Sequence, residues 1–110
     1  MHEKLHAYQA ALQFGAWAFD VCRMRASIRK SLKDQLERAT ESIVLNIAEG
    51  NGKTTRADRN RFFGYARASA FECAAIIDLL SLQKVITPES AREQKSTLER
   101  IGSMLSGLMR

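Results

Sequence analysis

Apolar residues recur at three- and four-residue intervals along almost the whole chain, and no segment alternates with period two for long enough to form a strand. Four amphipathic segments stand out. The first is predicted from about Glu3 to Arg25, with Leu5, Tyr8, Leu12, Phe19 and Cys22 on one stripe. Ala7, Ala11, Phe14, Ala18 and Val21 form a second stripe. A helix apolar on nearly every side is buried on more than one, so Phe14, Trp17 and Val21 are expected at an interface with another copy of the chain. The second helix follows Ser31, an N-cap with Asp34 in a capping-box position, and ends at Gly50 in a left-handed C′ conformation. Its seam is Leu32, Leu36, Ala39, Ile43 and Ile47. Thr55 caps the third helix, with Asp58 in the acidic slot. Phe62, Ala66, Ser69, Cys73, Ile76 and Leu80 form its seam, flanked by Phe63, Ala70 and Ile77, as far as Leu82 or Gln83. Thr87 caps the fourth, with Pro88 at its first position. Ala91, Leu98, Ile101, Leu105 and Leu108 carry its seam. Short connections between four such helices predict an all-α, antiparallel up-down-up-down bundle spanning residues 1–110 as one domain.

Asn46 is the residue a plain core would not choose. It sits at the edge of the second seam with Ser42 beside it, and Glu49 and Gly50 follow where that helix is expected to stop. A buried amide left without partners costs about 1–3 kcal/mol. Asn46 and Glu49 are therefore expected to hold the end of the second helix against the third, through bonds to backbone or to Ser69. A polar residue in an apolar seam specifies register or assembly more often than chemistry.

Composition narrows the function. The formal net charge is +5 and the pI about 9.6, which biases the surface toward acidic partners such as nucleic acid. The positive charge is clustered. Arg23, Arg25, Arg29, Lys30 and Lys33 form one run without an acid. Lys53, Arg56, Arg59, Arg61 and Arg67 form another with only Asp58 among them. The second helix separates these runs by roughly 27 Å at about 1.5 Å per residue, so a monomer presents two basic ends and a cyclic oligomer two basic rings. RNA or DNA binding through Lys53, Arg56 and Arg59 or through Arg25, Arg29 and Lys30 is one reading; solvated ends that aid solubility are the other. Phe62 and Phe63 are assigned to the helix seam and not to an exposed stacking platform.

Enzyme chemistry finds little support. Gly50-Asn51-Gly52-Lys53-Thr54 lacks the first glycine and the strand of a phosphate-binding loop. His2 and His6 make no Glu-x-x-His pair for a metal, so no cofactor or metal is expected. Glu49 and Glu72 are the carboxylates nearest apolar seams, and an enzyme built on them is the weakest reading. Cys22 and Cys73 read as small buried residues in a reducing cytoplasm. The polar opening MHEKLHAYQ lacks a signal peptide's apolar core, and no run reaches the ~20 residues of a membrane span.

The run Leu36 to Gly50, with Arg38-Ala39, Ser42-Ile43 and Asn46-Ile47-Ala48-Glu49-Gly50, resembles the signature of the 23S rRNA intervening-sequence protein family. The likeness continues through Arg61-Phe62, Ala66-Arg67-Ala68-Ser69 and Glu72. It also takes in Glu3-Lys4-Leu5, Tyr8-Gln9-Ala10 and Met104-Leu105-Ser106-Gly107-Leu108. The resemblance implies an antiparallel four-helix bundle assembling as a homopentamer, without enzymatic activity. It also implies kinship with the basic accessory proteins of diversity-generating retroelements, which work with a reverse transcriptase and nucleic acid. Val44 stands where many members have proline, Ala68 where a glycine is common, and the second acid after Glu72 is missing. Two functions follow as expectations: a basic oligomer that binds nucleic acid, or a scaffold for a protein partner such as a reverse transcriptase, without nucleic-acid contact.

Overall fold

A computed structural model describes residues 2–110 as four helices: α1 (His2–Met24), α2 (Lys30–Gly52), α3 (Arg56–Leu82) and α4 (Pro88–Leu108). Each packs on its chain neighbours, α1 also closes on α4, and the diagonal pairs make no close backbone approach. That is the ring of an up-down-up-down bundle, 44 × 23 × 18 Å in extent. Its centre is filled by Phe14, Leu36, Ile43, Ile47, Phe63, Ile77, Leu80, Ile101 and Leu105, none more than 1% exposed.

The caps of the second half form as their sequences predict. Thr55 Oγ1 accepts from the Asp58 amide at 3.2 Å, and Thr87 Oγ1 from the Ser90 amide at 3.0 Å. The ends of α2 differ. Its N-cap is Arg29, which has no side-chain cap bond, and Asp34 pairs with Lys30 at 3.1 Å instead of closing a box with Ser31. Ile28, 4% exposed, explains the earlier start: burying it brings the chain into the helix two residues sooner.

At the other end α2 runs two residues past Gly50, which is helical, and among the described residues no glycine has positive φ. Gly50 is required by packing. A Cβ there would lie 2.5 Å from the Phe63 ring, so the missing side chain lets α3 close on α2.

The reversal from α3 to α4 is a Schellman turn with an unexpected residue. Lys84 has φ 62°, the Val85 amide donates to the Leu80 carbonyl and the Lys84 amide to that of Ser81, both at 3.0 Å. Lys84 thus occupies the left-handed position where glycine is usual.

The faces of α1 are assigned differently from the sequence expectation. Phe14 is 1% and Val21 8% exposed within the single chain, so both belong to its own core. Trp17 is half-buried with its ring 5.9 Å from that of Phe14. The stripe that faces outward holds Leu5 and Leu12, 52% and 47% exposed.

Candidate nucleic-acid interface

The antiparallel order brings the end of α2, the start of α3 and the end of α4 together. Lys53, Arg56, Arg59 and Arg61 gather there with Arg110. Most of these cations are tied down. Arg56 donates to the Arg110 carbonyl, Asn60 Nδ2 to the Met109 carbonyl at 3.2 Å, and Arg59 to the Thr54 carbonyl at 2.9 Å. Lys53 lies 3.6 Å from Glu49, and Arg61 3.7 Å from Asp58. Each pair is exposed and contributes little to stability, but together they hold the cations in place on one end of the bundle.

Aromatic rings share this end, and Phe62, expected in the seam, is one of them. Phe63 faces the core while Phe62, one residue or about 100° around the helix, does not. Lys53 Nζ sits 5.1 Å and Arg61 Cζ 4.7 Å from the Phe62 ring centre. Tyr65, half exposed, meets Phe62 edge-to-face at 6.0 Å.

The opposite end joins α1 to α2 and α3 to α4. Arg25, Arg29 and Lys30 are exposed there, and the α3–α4 reversal adds Lys84, distant from them in sequence. Lys30 pairs with Asp34 and Arg23 with Asp20, whereas Arg25 and Arg29 have no acidic partner among the described residues.

Between the ends lies a polar seam. Asn46 Nδ2 donates to the Ser42 carbonyl at 2.8 Å and stands 3.0 Å from Ser42 Oγ, and Ser69 Oγ donates to Ser42 Oγ at 2.7 Å. The bridge between α2 and α3 is therefore Ser42, with Asn46 bonded only within its own helix. Glu49 points to Lys53 and does not reach α3 through any described bond. Ser42 and Ser69 line a cleft of about 200 Å³ with Gln35, Arg38, Ala39 and Glu72. Glu72 lies one turn from Ser69 toward the end of α3, and Glu49 two turns from Ser42 the other way. The separation is about 15 Å at 1.5 Å per residue, so the two carboxylates are not brought together.

Deeper in the same interface Thr40, fully buried, donates to the Leu36 carbonyl at 2.6 Å and lies 3.8 Å from Cys73 Sγ. Burial pushes the Cys73 thiol up to about 12, and burial also raises Cys22. Both are free thiols, and such groups are poor nucleophiles. No cluster of three potential metal ligands occurs among the described residues, and no helix there is long and apolar enough to cross a membrane.

The family model described as 23S rRNA-intervening sequence protein matches residues 3–107. The chain belongs to that family. A solved structure of a protein of unknown function from the S23 ribosomal protein family of Bacteroides thetaiotaomicron superposes with a TM-score of 0.89, at 21% identity and 97% coverage of each chain. At that identity the likeness establishes the four-helix fold alone. No curated protein matches the chain.

Proposed function

We propose that this member of the 23S rRNA-intervening sequence protein family is a non-enzymatic, basic homo-oligomer that holds RNA or DNA by its phosphates at the α2–α3 end. The observation that supports this is the gathering of Lys53, Arg56, Arg59, Arg61 and Arg110 around the start of α3. The pentamer implied by the resemblance would repeat that end around a ring and multiply the phosphate contacts. Binding of this kind releases counterions, so log affinity falls linearly with log salt by about 0.7 to 0.9 per phosphate contacted. Titrating labelled RNA and DNA at several salt concentrations, with light scattering for the oligomer, tests it. A wild-type protein that shifts neither nucleic acid at low salt overturns the reading.

A second reading, a scaffold for a protein partner such as a reverse transcriptase, draws on a different surface. Phe71, Leu79 and Leu82 on α3 are 61%, 45% and 79% exposed, and apolar groups of that size left in water mark contact sites. Absence of nucleic-acid binding together with loss of oligomer or partner on Leu79→Lys and Leu82→Lys would favour it.

A further inference from the structure

We infer that the α2–α3 end selects single-stranded over duplex nucleic acid, an unpaired base stacking on Tyr65 while Lys53 and Arg61 hold the neighbouring phosphates. The inference rests on the phosphate-binding reading above and adds to it the state of the strand.

The cations alone are a poor grip. Lys53 has Glu49 within 3.6 Å and Arg61 has Asp58 within 3.7 Å, so each carries an acid that partly offsets its charge toward a phosphate. What distinguishes this end is that both cations converge on one aromatic ring, Phe62, at 5.1 and 4.7 Å. A cation over a ring face is held there by the ring's quadrupole, so the two head groups stay beside the aromatic cluster. Phe62 in turn props the Tyr65 ring edge-to-face, at an interplanar angle of 89°.

The Tyr65 ring is available. It is 50% exposed, and apart from Phe62 and Arg61 the adjoining outer positions of α3 are small. Ala68 is exposed one turn on, and a Cβ added at Gly64 would meet nothing within 4 Å. An exposed ring propped on Phe62, over which the two cations sit, suits a base with a free π-face, whose stacking is strong and tolerant of sequence. In a duplex that face is already covered by the adjacent pair, so a duplex can use only the phosphate contacts.

The test measures binding of a labelled RNA strand of mixed sequence, and of the same strand in a duplex, to the full chain and to Tyr65→Leu and Tyr65→Phe. Leucine keeps an apolar side chain but removes the π-face; phenylalanine keeps the face and removes the hydroxyl. Tyr65→Leu is expected to weaken single-strand binding on the order of tenfold with an unchanged salt slope, and to leave duplex binding alone. Tyr65→Phe is expected to match the wild type. Equal affinity for strand and duplex, with Tyr65→Leu altering neither, overturns the inference and leaves the phosphate reading standing. Binding of neither form at low salt overturns both. Circular dichroism of each variant shows whether the half-exposed position has been changed without loss of fold.

Discussion

The two ends of this bundle carry similar numbers of cations and use them differently. At the α2–α3 end, Lys53, Arg56 and Arg59 each have a partner within the chain, and Lys53 lies over Phe62, which in turn meets Tyr65. At the opposite end Arg25 and Arg29 stand without acids, Lys84 joins them, and the link from Arg25 to Arg29 contains no aromatic residue. A loose cation contributes long-range attraction that salt screens, whereas a positioned one beside a ring can grip a particular shape. Net charge therefore does not distinguish the two ends; the local setting of the charge does.

Replacing either set of cations by glutamine separates the two ends. Lys53, Arg56 and Arg59 to glutamine is expected to cost on the order of 100-fold in RNA affinity at low salt and to flatten the salt slope. Arg25, Arg29 and Lys30 to glutamine is expected to cost a few-fold, through steering alone. The reverse order, read by fluorescence anisotropy, would move the interface to the other end.

The next largest effect concerns what holds the α2–α3 end together. Gly50→Ala puts a methyl 2.5 Å from the Phe63 ring, which is 1% exposed and has little room to retreat. A loss of about 1–3 kcal/mol in unfolding free energy, read as a lower urea midpoint, follows for this overpacked contact. A variant as stable as wild type would mean that the two helices part without cost.

Much of this was legible in the sequence, because the period of 3.6 is a local property. The seams of α2 and α4, the Thr55 and Thr87 caps and the reversal before Pro88 all lie where periodicity and capping chemistry predict them. What escaped depends on contacts across helices. Gly50 looks like a terminal glycine until the Phe63 ring is seen to cross it. Phe14 and Val21 looked like a spare face because two stripes on α1 are apolar, and only packing decides which one turns inward. Of the adjacent Phe62 and Phe63 only one can face the core, and the heptad reading took both. Ser42 was missed as the bridge because Asn46, four residues on, is the more conspicuous polar group; the i, i+4 spacing was the available signal.

The middle of the bundle gives a comparison free of both ends. Cys73 holds its proton up to about 12 in the folded chain, against an ordinary value of 9.0, because it is buried. Between those values the unfolded thiol ionises and the folded one does not, so this group's contribution is complete below 9.0 and declines as pH rises toward 12. Urea melts from pH 8 upward are expected to show a steeper decline for wild type than for Cys73→Ala. Parallel curves would show that the thiol is not sealed.

The smallest effect belongs to the opposite end. Lys84 holds φ 62° with a side chain, so Lys84→Gly is expected to gain about 0.5–1 kcal/mol, net of the freedom glycine adds to the unfolded chain. RNA affinity should not change more than a few-fold. A larger loss of binding would show that Lys84 takes part, and would weaken the contrast between the ends.

The two cysteines also make the chain its own stability gauge. Cys22 lies near the end of α1, and its sulfur is within 3.9 Å of the Lys33 carbonyl across the first link. Cys73 lies in the middle of α3, sealed against Thr40. A thiol reagent reaches the first by local fraying and the second only when α2 and α3 separate, so the two modification rates report different openings of one molecule. Followed by mass spectrometry with and without RNA, they would distinguish a ligand that clamps one end from an assembly that holds the whole bundle shut.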